Sequence, residues 1–166
     1  WYVLFYNKDL FDAAGEAYPA DDMTWGEYER LAERLTFVRD GGMVYGTHHH
    51  TWMALVSNWA VQDGNHTLMS EDYAFLKPYY EQALRMQEEG VMQSYANLKI
   101  SNIHYTSVFE QQQCAMVPMG TWFIATLVQD REAGNFDFNW GVTRIPHPAG
   151  IPAGSTVGSV TPIAVN

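Results

Sequence analysis

The feature that most constrains this chain is a ten-residue run, Ala115 to Ile124, that reads as a buried strand passing directly into a helix. The apolar first half is typical of a strand covered on both faces in an α/β sheet. Gly120 marks a sharp turn, and Thr121 follows as a candidate N-cap whose hydroxyl would accept a backbone hydrogen bond. This arrangement predicts that Trp122 lies at the carboxyl end of a central strand.

The indole of Trp122 is therefore the first candidate for ligand binding. Open α/β sheets bind their ligands beyond the carboxyl ends of their strands. An indole at that position can stack on the C–H face of a sugar ring, because aromatic rings bury a large area and carry a polarised face. The alternative is a core tryptophan beside the start of a helix, and this stretch alone leaves both interpretations open.

The composition indicates a globular domain and excludes several classes of partner. The 166 residues suffice for one ordinary domain with a real core. Because 47% of the residues are hydrophobic and 14% aromatic, disorder is not expected. The formal net charge of −10 argues against nucleic acid and anionic membranes, since both require a basic patch. No apolar run reaches the roughly 20 residues of a membrane span.

The chain begins inside a predicted strand, Trp1 to Tyr6, without an initiator Met or a leader. We therefore expect it to be part of a longer protein, with any targeting signal outside it. The single cysteine, Cys114, permits no internal disulfide. Nothing close to it in the sequence supplies the base that a nucleophilic thiol needs, which favours a small buried residue.

Helix and strand signals alternate along the rest of the chain. A capping box at residues 24–27 predicts a helix to about Leu35 whose apolar face contains Tyr28, Leu31, Ala32 and Leu35. Pro78 is expected near the first turn of a long helix, on which Tyr80, Ala83, Leu84 and Gln87 form one stripe. Further elements are expected as helices at 7–15, 53–60, 72–89, 101–112 and 121–134, and as strands at 44–46, 138–145 and 159–165.

Three consecutive histidines, His48, His49 and His50, allow two interpretations. One is a metal-dependent hydrolase centred on the triplet and nearby carboxylates. Consecutive side chains diverge, however, whereas zinc ligands are usually spaced along the chain, for example at i and i+4 of a helix. The alternative places His49 and His50 at the polar edge of a cleft, where they would donate hydrogen bonds to hydroxyl groups. We favour this second interpretation and predict neither a metal nor a cofactor.

Several stretches, taken in order, resemble the bacterial extracellular solute-binding proteins of carbohydrate ABC importers, the family that contains maltose-binding protein. No single stretch is specific, but their order and spacing cover essentially the whole chain. The stretches are Phe5–Phe11, Thr24–Glu27, Val44–Gly46, Phe109–Trp122, Trp140–Val142, Ile145-Pro146 and Pro162–Ala164. Two positions depart from the family pattern. Gln112 stands where a glycine is expected, which suggests an extra half-turn of helix, and Val157-Gly158 replaces a glycine pair.

The resemblance implies an α/β fold in which a mixed central sheet is flanked by helices, a three-layer-like lobe of a type II periplasmic binding protein. Residues 1–154 would form the second, sugar-binding lobe of a two-lobed protein. Residues 155–166 would form the hinge crossover strand that returns to the absent first lobe. Because this strand would lack its sheet partners, it could pair with a second copy of the chain and cause dimerisation.

The resemblance also implies a function, that of the non-catalytic substrate-binding component of an ABC importer. Such a protein captures a sugar or oligosaccharide between its lobes and is then recognised by the permease subunits in the membrane. The implied location is extracellular, as a membrane-anchored lipoprotein, or periplasmic. The remaining alternatives are the hydrolase described above and a non-catalytic interaction domain whose aromatic residues are all buried.

Within that family Trp52 is the second candidate for stacking, because it lies in the segment that resembles the other aromatic patch of this lobe. A core residue at the start of a helix is an equally good interpretation of it. The complete set of predicted ligand-binding residues is Trp122, Trp52, His49, His50, Thr121, Asn58, Gly158 and Ser159. Trp25, Trp59 and Trp140 are expected in the core.

Overall fold

The structure is a computed structural model that describes residues 1–52, 54–158 and 164. Its centre is a five-stranded sheet in the order β2-β3-β4-β1-β5. The strands are β1 (Tyr2–Asn7), β2 (Phe37–Arg39), β3 (Gly42–Thr47), β4 (Cys114–Gly120) and β5 (Trp140–Arg144). Strands β3 and β4 are parallel, and the other neighbouring pairs are antiparallel. The predicted mixed sheet is therefore confirmed.

Helices cover both faces of this sheet. They are α1 (Lys8–Ala14), α2 (Trp25–Arg34), α3 (Ala54–Ala60), α4 (Lys77–Glu88), α5 (Tyr95–Ile100), α6 (Tyr105–Glu110) and α7 (Trp122–Glu132), with a 3-10 turn at Ala74–Leu76. One core lies between the sheet and helices α1 to α4, and a second lies between the sheet and helices α6 and α7. Leu4 faces the first core and Phe5 the second, as the two-residue period of a strand requires.

The central strand β4 is buried along its whole length. This confirms the interpretation of its apolar run as a strand covered on both faces. Cys114 lies at its beginning, fully buried, and burial raises the pKa of its thiol well above the usual range. The thiol is therefore a small core group, as the sequence predicts.

Helix α2 shows how local sequence positions the first core. The Thr24 hydroxyl accepts from the Glu27 backbone while the Glu27 carboxylate accepts from the Thr24 backbone, so the predicted capping box is present. The helix lies so close to β3 that a Cβ on Gly46 would come within 1.8 Å of the carbonyl oxygen of Ala32. A glycine is therefore needed where this helix crosses the sheet.

Two predicted helices have different bounds in the structure. The helix expected at 101–112 is wrong in its first half, because Asn102 adopts a left-handed conformation (φ 48°) that separates α5 from α6. The helix expected at 72–89 begins only at Lys77, after loop residues and the 3-10 turn. Pro78 lies in its first turn, which confirms the position predicted for this proline.

The expected extra half-turn at Gln112 is also wrong. Gln112 adopts φ 55° and makes the tight turn itself, and the backbone N–H of Gln113 returns to the carbonyl of Val108 at 2.9 Å. The left-handed conformation closes the C-terminus of α6 in the way that a glycine normally does.

The segment after β5 returns to the start of β1. The backbone N–H of Tyr2 donates to the carbonyl of Val157 at 3.1 Å, and the Thr156 hydroxyl donates to the carbonyl of Tyr2 at 2.8 Å. The last predicted strand, 159–165, lies outside the described residues except for Ala164. The division into a lobe of 1–154 and a crossover of 155–166 remains a prediction. Within the described ranges, no helix has the length and apolar character needed to cross a bilayer.

Candidate ligand-binding site

Three segments meet at one edge of the sheet. Because β3 and β4 are parallel, with Thr47 beside Met116, their carboxyl ends lie side by side. Strand β1 runs the opposite way, so that its first residue, Tyr2, lies opposite Gly120 at the end of β4. The residues that follow β3, the residues that follow β4 and the beginning of β1 therefore share this edge.

Trp52 and Trp122 lie together at this edge. Their ring centroids are 6.2 Å apart, the ring planes are inclined at 50°, and the two residues are 42% and 41% exposed. They are neither sealed in the core nor turned to opposite sides of the molecule. We call this pair of rings the indole pair. In contrast, Trp25 and Trp59 are buried in the first core, and Trp140 packs partly buried against the second, as predicted.

The ring of Trp122 is fixed by the end of β4 and by its neighbours. A Cβ on Gly120 would lie 2.0 Å from a carbon of the indole, so the ring occupies the space that any larger residue would need. The indole N–H donates to the Tyr105 hydroxyl at 3.3 Å, and the ring of Tyr2 meets the indole edge-on at 5.6 Å. The glycine in this motif therefore positions the aromatic ring in addition to ending the strand.

Tyr105 links the two halves of the indole pair. Its ring centroid lies 5.7 Å from that of Trp52, and its hydroxyl accepts the hydrogen bond from the indole N–H of Trp122. His50 packs edge-on against Trp52 with ring centroids 4.7 Å apart, and His104 lies against Tyr105 at 4.1 Å. The result is a continuous aromatic surface in which both indoles keep an exposed part.

Sequence reasoning missed Tyr105 and Tyr2 as members of this site. Tyr105 shares the helical spacing of Val108 and Phe109, and all three are buried, so the pattern correctly marked it as inward-facing. Its ring nevertheless reaches the edge of the sheet because it is the first residue of α6. Tyr2 could have been found only from its pairing with Gly120, which is a long-range feature.

The three histidines enter three different environments. His48 is almost completely buried, and neither ring nitrogen has a hydrogen-bond partner among the described residues. Nε2 of His49 lies 3.1 Å from the Tyr28 hydroxyl, which also bonds the Thr47 hydroxyl. His50 faces Trp52. Across the described part of the chain, no group of three or more His, Cys, Asp or Glu residues is arranged to hold a metal ion.

All three imidazoles are neutral near pH 7. Burial, followed by the neighbouring imidazoles of His49, His50 and His104, lowers the pKa of His48 to about 3. Burial likewise lowers the pKa of His49 and of His50 to about 4. A neutral imidazole carries one donor and one acceptor nitrogen, which suits a neutral hydroxyl better than a charged group.

The other predicted ligand-binding residues are not part of the indole pair. Burial raises the pKa of Tyr2 and the Asn58 side chain on α3 opposes that rise, which places Asn58 beside Tyr2 at the same edge. The backbone N–H of Thr121 donates to the carbonyl of Trp1 at 2.8 Å. Gly158 lies beside the Trp1 ring, since a Cβ there would be 3.4 Å from it. Ser159 lies outside the described residues.

The predicted capping role of the Thr121 hydroxyl is wrong. The residue does occupy the N-cap position of α7, but its φ and ψ of −60° and −16° are already helical. A capping side chain requires an extended backbone at this position, and the Thr121 side chain makes no capping bond. The hydroxyl therefore does not cap α7, although the residue lies at the edge of the site.

A pocket of about 440 Å³ opens beside the indole pair, between α4, α5 and the segment that follows β3. The stripe predicted on α4 forms one of its walls. The pocket is lined by His49, His50, Trp52, Val56, Tyr80, Ala83, Leu84, Gln87, Met92, Gln93, Tyr95 and Leu98. Three of the predicted ligand-binding residues, His49, His50 and Trp52, thus face a concave space that the sequence did not reveal.

Comparison with known proteins places these features in context. The sequence matches the profile of the family described as bacterial extracellular solute-binding protein over residues 1–166. A search of curated proteins gave no significant match.

Among solved structures, a sugar transporter from Rhizobium etli in an open conformation is 46% identical, with a TM-score of 0.90 over 93% of this chain and 40% of that chain. An ABC substrate-binding protein from Listeria monocytogenes in complex with cycloalternan is 28% identical, with a TM-score of 0.73 over 89% of this chain and 37% of that one. A maltose/maltodextrin-binding domain from Bdellovibrio bacteriovorus bound to maltotriose shares the fold at 17% identity, with a TM-score of 0.63 over 91% of this chain and 38% of that one. This chain therefore spans about 40% of the length of these structures or slightly less.

Proposed function

We propose that this chain, which belongs to the family of bacterial extracellular solute-binding proteins, captures a sugar or oligosaccharide for an ABC importer. The observation that carries the proposal is the indole pair, in which Trp52 and Trp122 stand 6.2 Å apart and half exposed at the carboxyl ends of adjacent strands. Two such rings offer flat apolar surface to the C–H faces of one or two sugar units. The cycloalternan bound to the Listeria relative supports a carbohydrate ligand.

The polar groups around the indole pair suit hydroxyl recognition. His50 lies against Trp52, and the Thr121 hydroxyl and the Asn58 amide lie at the same edge. Because the histidines are neutral, each can exchange hydrogen bonds with a hydroxyl without the cost of burying a charge. In this proposal His49 forms a hydrogen bond with the ligand from the adjoining pocket. Gly158 and Ser159 contact the ligand from the crossover.

Capture in this family involves two lobes, and we assign residues 1–154 to one of them and residues 155–166 to the crossover. Ligand binding would bias a hinge toward its closed state, which the membrane permease then recognises. Since half of the contacts would come from the other lobe, this chain alone is expected to bind sugars weakly. We place the full protein outside the cytoplasm, either periplasmic or as an anchored lipoprotein.

We also propose that the protein is not an enzyme. Glycosidases use two carboxyl groups that flank the bond to be broken. The described side chains grouped at the indole pair are aromatic rings and imidazoles, without a carboxylate: Tyr2, His50, His104 and Tyr105. The rival hydrolase predicts stoichiometric zinc in the purified protein, and metal analysis of the full-length protein distinguishes the two.

The direct test is a titration of the full-length protein with neutral mono- and oligosaccharides, followed by tryptophan fluorescence. We expect a saturable change for at least one sugar, and a loss of affinity of about 10- to 100-fold in Trp122→Ala and Trp52→Ala, in line with about 1.4 to 2.8 kcal/mol. Tyr73→Ala removes an exposed aromatic ring in a different loop and is the matched control. Unchanged affinity in both tryptophan variants would contradict the proposal.

Dimerisation through the C-terminal strand is a separate part of the proposal. An unpaired strand edge can template pairing with another copy. Size-exclusion chromatography with light scattering on residues 1–166 should show a concentration-dependent dimer that Thr161→Pro abolishes, since proline cannot donate to a sheet ladder. A strictly monomeric chain at high concentration would refute it.

A further inference from the structure

The pocket beside the indole pair is continuous with it. His50 and Trp52 line the pocket, and both also belong to the aromatic surface around Trp122. A molecule stacked on the indole pair therefore has direct access to the pocket. Its volume of about 440 Å³ falls within the usual range of small-molecule sites, about 300–1,000 Å³.

The chemistry of the walls differs from that of an ordinary sugar site. Helix α4 supplies Tyr80 and Leu84, and Met92 and Leu98 come from the segment that follows it. None of the described lining residues carries a carboxylate, an ammonium or a guanidinium group. A charged substituent would lose its hydration there without a partner, and a hydroxyl-rich ring would leave most of its groups unpaired. The walls therefore favour a neutral, mainly apolar group.

Three polar atoms qualify that preference. Nδ1 of His49, Nδ1 of His50 and Oε1 of Gln93 are buried in the lining and have no hydrogen-bond partner among the described residues. A buried polar atom without a partner destabilises the folded protein, and the amide oxygen of a glutamine can only accept. A ligand group that also carries one hydroxyl or N–H donor would satisfy it.

We propose that this pocket receives the apolar terminal group of a neutral glycoside while an adjoining sugar ring stacks on the indole pair. The terminal group is an aglycone or a strongly deoxygenated ring, with at most one or two polar substituents. This inference rests on the proposed function, because it assumes that a sugar occupies the indole pair. It narrows the ligand from sugars in general to amphipathic, uncharged glycosides.

The experiment compares matched ligands on the full-length protein by calorimetry. The probes are the methyl and phenyl α- and β-glycosides of glucose, galactose and mannose, which differ in the terminal group alone. Two variants close the pocket at its exposed rim: Leu84→Trp fills the mouth, and Leu84→Asp adds a charge. Because Leu84 is 55% exposed, neither change disturbs the core, and Met69→Asp places the same charge on a surface residue outside the pocket.

We expect at least one phenyl glycoside to bind about tenfold more tightly than its methyl partner. Both Leu84 variants should remove that preference and leave the affinity for the methyl glycoside within about twofold, and Met69→Asp should leave both affinities unchanged. Equal affinities for the methyl and the phenyl glycoside in every pair would overturn the pocket assignment but leave the proposed sugar binding intact. A phenyl preference that survives both Leu84 variants would overturn it as well. A protein that binds oligosaccharides but none of these glycosides would overturn this inference alone. A protein that binds neither the glycosides nor any sugar of the direct test would overturn the proposed function as well.

Discussion

Acid should destabilise this fold through its buried histidines, and His48 allows the effect to be measured. Its imidazole is almost completely buried without a hydrogen-bond partner among the described residues, and its pKa is lowered from 6.5 to about 3, mainly by burial. In the unfolded chain the same group takes up a proton near pH 6.5. Between pH 6.5 and 3 the unfolded state therefore binds more protons, and the free energy of unfolding falls as the pH falls.

The magnitude follows from the two pKa values. At pH 5 the folded protein still holds His48 neutral, so the loss is set by protonation of the unfolded chain, about 1.36 × (6.5 − 5), or about 2 kcal/mol. That is a large share of the 5–15 kcal/mol typical of a whole domain. His49, with a pKa of about 4, adds a loss of similar size.

The assay is urea unfolding of residues 1–166 at pH 7.5, 6 and 5, followed by tryptophan fluorescence, for the native sequence and for His48→Leu. Leucine removes the titrating group and leaves no hydrogen-bond partner unpaired among the described residues. All other ionisable groups are common to both chains. The difference in unfolding free energy between the two should shift by about 2 kcal/mol in favour of His48→Leu between pH 7.5 and 5. Parallel pH profiles for the native chain and His48→Leu would refute the reasoning.

Three further substitutions test other details of the structure. Gln112→Gly should raise the free energy of unfolding by about 0.5–1 kcal/mol, because glycine adopts the left-handed turn without strain, and urea midpoints that fall instead would contradict this. Gly120→Ala should displace the indole of Trp122 and shift the tryptophan emission spectrum of the folded protein; an unaltered spectrum would show that the ring does not depend on this glycine. Burial, followed by the neighbouring Asp130 carboxyl group, raises the pKa of Glu110 from 4.5 to about 7, so that its stabilising proton is lost as the pH rises through 7. The free energy of unfolding of Glu110→Gln, measured with urea, should therefore exceed that of the native chain by about 1 kcal/mol at pH 8, after allowance for solvent screening. At pH 5 the two chains should be equally stable. Equal stability at both pH values would count against the protonated carboxyl group.

Elements with a strong local signal were predictable from the sequence. The capping box defined the start of α2, and the uninterrupted apolar run defined β4, because each depends on residues close together in the chain. The position of Trp122 at the end of a central strand followed from the same motif. That Trp52 lies beside it did not follow from local sequence, since their proximity depends on the parallel pairing of β3 with β4.

The elements that sequence reasoning missed are short or unusual. Strand β2 has three residues and exists because the turn after it folds it back on β3, where Phe37 faces Val44. Helix α5 has six residues, too few for a clear apolar period. The turn at Gln112 was missed because a left-handed glutamine gives no compositional signal. The pocket was missed because its walls come from three separate segments.

The assembly of the indole pair from residues distant in sequence also has a kinetic consequence. Tyr2, Trp52 and Trp122 come from separate parts of the chain and meet only when β1 has docked against β4 and β3 has paired on its other side. Contacts of such high sequence separation form slowly, because long loops must close before any contact is gained. The indole pair therefore marks a late step of refolding, since Trp52 and Trp122 can meet only after β3 has paired with β4.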